Sequence, residues 1–578
     1  MKKLFTFIML LFVFAFGALA VNVNLNISFR YWLKSHFEQN ITIPTSAKII
    51  FANGDQIYEQ ELNEIADLNS GKIMIPIEWL REMGFTYALD DVNGDLSLVG
   101  HNQFLKIALD GQVLWNGIGQ SEMIELKSHN AQWYIDVAAL LNLDLSQEIP
   151  FRTEIFSDRE LALIVKDNDN FGNARIEGAW GVYLNDDEAI SSGIRSEILK
   201  LSEIFKGVTF TEEITNATRV FAIQNDGTTS YVLTENGNLG YIQTDVVAFD
   251  DEVLITEIER PKIKLIWEYV YRKTPDPSKI TNLEGINVIS PTWYALTDAE
   301  GTVSNISSAK YTQWTKEHGY EIWPLVSNSF DPELTHEFLH NASGRYNFIN
   351  TLVSEAIKNN YNGINIDFEN IYLEDRDLLS HFINELSWYM NQYDLILSMD
   401  VTVIAESDNW SKCFDRKTLG NIVDYLIVMA YDEHWDSSPV SGPVASFDWV
   451  ASSLLQIQNL VPSNKLIMGI PLYTRVWSEK IDNSLESGYS ISADAIGIAD
   501  QNALIESKGL NLKWLELDKV YFTSYIEDDV VKKIWVENLD TIVEKIKLSK
   551  EMNLAGYAFW RRGMEEVDFF YELNQRID

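Results

Sequence analysis

The run Asn362-Gly363-Ile364-Asn365-Ile366-Asp367-Phe368-Glu369 alternates polar and apolar side chains with a period of two. Successive residues of a strand face opposite ways, so Asn365, Asp367 and Glu369 share one face while Ile364, Ile366 and Phe368 share the other. Three polar groups in a row cannot enter a packed helix layer without partners, whereas the mouth of a closed barrel offers solvent and substrate. The run therefore predicts a barrel strand with its polar face inward. A structural polar layer or a helix cap would produce the same spacing, and the spacing alone leaves those readings open.

Working outward from this strand, the chain beyond Pro261 alternates buried strands with amphipathic helices, the texture of a parallel sheet with helical crossovers. Strands are expected at 263–270, 286–290, 320–326, 363–369, 395–402, 424–431, 465–471 and 554–560. Eight such units predict an α/β fold, a (β/α)8 TIM barrel over residues 261–578, with reactive groups at the C-terminal ends of the strands. The gap between the seventh and eighth strands is longer than one helix needs. It holds a helical stretch (493–509) and two strand-like runs (519–525 and 530–537), so a small α+β insertion is expected over 478–550.

Two small accessory domains are expected ahead of the barrel, one α+β (41–147) and one mostly β (150–255). In the first, GKIMIPIEWLREMGF (71–85) is echoed by AQWYIDVAALLNLDL (131–145), each reading as a short strand feeding a short helix. This duplication, with its Asn-Gly and Asp-Gly turns, resembles the domain named after the N-terminus of copper amine oxidase and implies a non-catalytic module. In the second, YVLTENGNLGYIQTDVV (231–247) alternates around an Asn-Gly turn and, with SEILKLSEIFKGVTF (196–210), resembles a bacterial Src-homology-3-like domain. Such modules often hold hydrolases on cell walls, and a rigid spacer without affinity fits the pattern equally.

The formal net charge of −40 argues against nucleic acid and anionic lipid as partners, because those polymers are bound through Lys and Arg. The single cysteine, Cys413, excludes an internal disulfide and a cysteine-based metal site. The eight histidines are read as showing no HExxH motif and no His-rich cluster, so neither a catalytic metal nor a cofactor is expected. Residues 1–20 place Lys2 and Lys3 before an apolar run and Ala18-Leu19-Ala20, the order of a secretory signal. The expectation is a secreted or wall-associated protein with no membrane contact once that segment is cleaved; an uncleaved anchor is the other reading.

NGINIDFEN resembles the D-G-x-D-x-D-x-E signature of glycoside hydrolase family 18. VMAYDEHW (428–435), GIPLYTRVW (469–477) and GYAFWRRGMEE (556–566) resemble that family's later barrel motifs in the same order. By this resemblance Glu369 is the general acid, and Asp367 orients the substrate's own acetamido group, whose carbonyl oxygen attacks the anomeric carbon. The resemblance further implies that Tyr431 bonds the acetamido oxygen, that Met429, Asp432 and Tyr473 line the same subsite, and that Trp560 stacks beneath the sugar. Trp267 and Trp293, near strand ends, are further candidate sugar platforms or core residues.

Asn362 and Asn365 depart from the family pattern. With Asn365 neutral beneath Asp367, the expectation is an Asp367 that stays ionised to lower pH. The run from Asn365 to Leu386 resembles the spore and cell-wall branch. A retaining, substrate-assisted N-acetylglucosaminidase of peptidoglycan or spore cortex is therefore the leading reading. A chitinase would share every residue named, and a silent sugar-binding barrel is the alternative of another class, disfavoured because Glu369 is present.

Overall fold

In the computed structural model of the protein, the described residues are 261–280 and 283–577, except 483 and 485–487, together with 71–143, except 91–93, 101 and 130, and shorter strands between 48 and 249. The proposed signal segment and residues 196–210 lie outside the described residues. The chain divides into two compact units, one of residues 1–85 and 107–256 and the other of residues 86–106 and 257–578.

The second unit is built on a closed parallel barrel, as expected. Its strands are β1 (Ile263–Glu268), β2 (Val288–Leu296), β3 (Leu325–Ser327), β4 (Gly363–Asp367), β5 (Ile396–Thr402), β6 (Tyr425–Met429), β7 (Leu466–Pro471) and β8 (Gly556–Trp560). Each pairs in parallel with the next, and β8 pairs β1 to close the ring. The backbones approach so closely there that a Cβ on Gly556 would lie 1.8 Å from the Ile263 carbonyl oxygen, which only glycine tolerates.

The period-two reading of β4 is realised. Ile364, Ile366 and Phe368 join the core between sheet and helices, and Phe368 packs against Phe382 at 5.6 Å between ring centroids. Full burial of such side chains contributes roughly 1.5–3 kcal/mol each, which offsets the cost of the polar face opposite. The barrel interior holds a separate apolar group that includes Leu265, Trp267, Trp323, Tyr425 and Ile467.

Helices follow the strands: α1 (Ala309–Glu317), α2 (Pro332–His340), α3 (Ala342–Asn359), α4 (Arg376–Asn391), α5 (Arg416–Ile422) and α6 (Phe447–Gln458). Local chemistry sets their starts. Asp331 accepts from the Leu334 amide at 3.1 Å, and Pro332 supplies a first-turn residue that needs no amide partner.

After β7 the chain enters the insertion, which begins earlier and ends earlier than the spacing suggested. It is a five-stranded antiparallel sheet (Tyr473–Ile481, Tyr489–Gly497, Lys513–Leu515, Val520–Glu527, Val530–Val536) with the helix Ile498–Lys508. The helix Leu539–Glu551 belongs to the barrel, because Ile542 and Ile546 are buried in the barrel's helix-side core. Residues 86–106 also belong to this unit. Strands Thr86–Leu89 and Leu96–Gly100 lie on α4, where His381 bonds the Thr86 hydroxyl at 3.1 Å and Asn384 donates to the Val99 carbonyl at 3.0 Å. An unbroken accessory domain over 41–147 is therefore not what forms.

In the first unit both copies of the duplication form a strand feeding a helix, Met74–Pro76 before Trp79–Glu82 and Gln132–Asp136 before Val137–Asn142. The two strands pair with each other, Ile135 opposite Ile75. Lys48–Asn53 pairs in parallel with Leu161–Lys166, so a sheet crosses the expected boundary near residue 150. A separate five-stranded antiparallel sheet contains Thr229–Thr234 beside Leu239–Gln243, the hairpin expected around the Asn-Gly turn. Among the described residues, no helix is long and apolar enough to cross a membrane.

Candidate active site

At the C-terminal end of β4 the inward residues form a stepped column. Asn365 is fully buried, Asp367 is buried, and Glu369, two residues further out, is half-buried at the mouth. The Asn365 side-chain oxygen accepts from Trp267 Nε1 at 2.9 Å and from the Ser290 hydroxyl at 3.2 Å, while its amide donates to Asp400 Oδ1 at 2.9 Å. Asp400, on β5, is a site residue that the sequence reading missed. Its signal is a carboxylate inside an otherwise apolar buried strand, LILSMDVT, which is costly unless partnered.

The expectation that Asp367 stays ionised to lower pH is also overturned. Burial pushes the Asp367 carboxyl up to about 7, and not below its usual range. Burial, Asp367 and Glu369 hold Asp400 well above the carboxylate range against the pull of the Asn365 amide. The second carboxylate of the layer is thus supplied by the neighbouring strand. Glu369 is likewise raised well above its ordinary value, by burial first and then by Asp367 and Asp432, which favours its protonated form. One Asp367 oxygen, Oδ1, is buried without a hydrogen-bond partner among the described residues.

The backbone of Glu369 is clamped by Asn328, whose side chain accepts from the Glu369 amide at 3.0 Å and donates to its carbonyl at 2.7 Å. Across the mouth, Met429 ends β6 half-buried, followed by Tyr431 and Asp432. Gly469 on β7 leaves room for this tyrosine: a Cβ there would come within 3.0 Å of the Tyr431 ring. Asp432 accepts from the Tyr473 hydroxyl and from Arg475 Nη2, both at 2.7 Å. Tyr431 and Tyr473 stand edge to face at 6.3 Å, and burial keeps both phenols protonated.

Trp560, half-buried at the end of β8, meets Trp267 edge-on at 5.7 Å. The other two tryptophans are corrected. Trp267 is 1% exposed and supports Asn365 from within the barrel, so it offers no open face. Trp293, also 1% exposed, lies among Tyr311 and Tyr361 in the helix-side core and bonds Thr274. The register shift between Thr292 and Tyr294 accompanies that outward placement.

The reading of the histidines is also corrected. His336-Glu337-Phe338-Leu339-His340 is itself an HExxH motif, read as absent from the sequence; its two histidines stand four apart on α2, and both meet Asp375.

Chemically, the mouth joins a carboxyl at its rim whose protonated form is favoured, a buried carboxyl with an oxygen free to accept a hydrogen bond, and an aromatic surface. Compared with known proteins, the chain is 29% identical over 300 residues to an uncharacterized glycosylase of Bacillus subtilis, covering 49% of this chain and 83% of that protein. It is 25% identical over 250 residues to the cortical fragment-lytic enzyme of Bacillus subtilis, covering 42% of this chain and 55% of that protein. A solved chitinase of Chromobacterium violaceum aligns with a TM-score of 0.47 at 23% identity, covering 55% of this chain and 99% of that one. Residues 269–565, just over half of the chain, match the family described as Glycosyl hydrolases family 18. With the barrel closed and the carboxyl column at its mouth, the chain belongs to glycosyl hydrolases family 18.

Proposed function

We propose that the protein cleaves β-1,4 bonds beside N-acetylglucosamine in peptidoglycan or spore cortex, with retention and with the substrate's acetamido group as nucleophile. The observation that carries this reading is the buried Asp367 oxygen without a partner among the described residues, two residues from Glu369, whose carboxyl is raised by burial well above its ordinary value. Glu369 protonates the departing glycosidic oxygen. Asp367 accepts the acetamido N–H and, once ionised, supports the positive charge that develops as the carbonyl oxygen attacks. In this scheme no second enzymic carboxylate is needed at nucleophile distance. Tyr431 donates to the acetamido oxygen, Met429, Asp432 and Tyr473 line the pocket, and Trp560 floors the ring.

The choice of glycan is supported by similarity to the cortical fragment-lytic enzyme of Bacillus subtilis. Secretion through residues 1–20 completes the proposal. Incubating the purified chain with peptidoglycan, cortex fragments and chitin oligomers tests it. New N-acetylglucosamine reducing ends on peptidoglycan or cortex are expected; cleavage of chitin oligomers alone would overturn the wall assignment in favour of a chitinase.

A further inference from the structure

We propose that His336, His340 and Asp375 bind a divalent transition-metal ion of the zinc class, which braces the loop leaving the Glu369 strand. The two imidazoles stand four residues apart on α2, one turn of helix, with ring centroids 4.4 Å apart. Asp375 closes the short turn Leu373–Asp375, and its carboxylate is wholly buried. His336 Nδ1 lies 2.9 Å from both Asp375 oxygens, and His340 Nε2 lies 3.2 Å from Oδ1. The three ligating atoms all fall within 4.8 Å of one another.

Tetrahedral zinc with bonds of about 2.0–2.1 Å sets its ligand atoms roughly 3.3 Å apart. The His336–Asp375 and His340–Asp375 spacings of 2.9 and 3.2 Å are close to that, and the two imidazole nitrogens, which lie within 4.8 Å of each other, would be drawn in by side-chain rotation. Two imidazole nitrogens and one carboxylate suit zinc, nickel or copper, whereas magnesium and calcium take oxygen sets. Both histidines are partly exposed, which leaves an entry path and a fourth position for water. Glu337, within the motif, is exposed and stands apart from the three ligands, so the role assigned is structural.

The placement ties that role to the active site. Asn328 clamps both backbone polar groups of Glu369 and donates to Thr335 at 2.8 Å, the residue just before His336. Asp375 ends the same loop that Glu369 begins. Both ends of the loop are therefore anchored on α2, and a metal ion would turn the second anchor from hydrogen bonds into ligand bonds.

The test is calorimetric titration of the chelator-treated full chain with zinc chloride, followed by thermal melting with and without zinc. One ion per chain and a melting temperature raised by zinc are expected. His340→Ala and His336→Ala should each weaken binding at least 10-fold, and the partly exposed His340 makes its variant the safer one to fold. No zinc uptake by the folded chain, or uptake unchanged in both variants, would overturn the proposal. Neither readout uses glycan cleavage, so the result stands apart from the proposed activity.

Discussion

The Asn365 amide reaches across from β4 to the Asp400 carboxylate on β5 at 2.9 Å, so one layer of the barrel holds an amide between two tryptophan- and carboxylate-bearing strands. Asn365→Asp would replace a donor with a third acid beside Asp367 and Asp400. An added like charge favours the protonated forms, and the protons then belong to the group jointly. The acidic limb of the kcat/KM profile should move to higher pH by roughly half a unit or more, since that limb reports the free enzyme's essential base. A limb that stays in place or moves down would show that the layer does not communicate.

Asp367 links folding to pH. Folded, it holds its proton up to about pH 7; unfolded, it releases it near 3.8. Between those values the folded state binds more protons, so this group's contribution to stability falls as pH rises. Asp367→Asn removes that loss. Calorimetry should find the variant more stable than the parent at pH 7, by at least about 1 kcal/mol, with the advantage fading toward pH 4. Equal melting temperatures at both pH values would contradict the raised carboxyl.

Arg475 and Tyr473 together hold Asp432. Arg475→Met should leave that carboxylate held by Tyr473 alone and lower kcat/KM about 10-fold, mostly through KM, because the change loosens a subsite wall and leaves the proton donor in place. A fall confined to kcat would place Asp432 in the chemical step instead.

If the nucleophile belongs to the substrate, thiazoline analogues of N-acetylglucosamine should inhibit, while fluoro-sugars that trap enzymic nucleophiles leave the protein unlabelled. Mass spectrometry of the treated protein decides this. A glycosyl adduct on Asp367 would replace the substrate-assisted scheme with a covalent one.

Much of the fold was legible because period-two and helical patterns are local: Ile364, Ile366 and Phe368 against Asn365, Asp367 and Glu369 sufficed to orient β4. What stayed hidden depends on distant partners. Asp400 matters only because closure sets β5 beside β4, and Trp293 turned outward at a register shift that no alternation announces. Tyr473 already opens the insertion sheet, since its strand continues to Ile481, whereas residue spacing suggested a later start. The boundary near residue 150 failed for a similar reason, because Lys48–Asn53 pairs with a strand more than 100 residues later. The histidine pair at 336 and 340 was readable, but its third partner, Asp375, lies on another element.

The most direct test of the account is the turnover of Glu369→Gln on a soluble N-acetylglucosamine oligosaccharide, with folding checked by its melting curve. Removal of a positioned general acid typically costs about 100-fold or more, so kcat should fall at least that far while sugar binding and the melting temperature persist. Near-normal turnover in the folded variant would contradict the assignment of Glu369 as the proton donor.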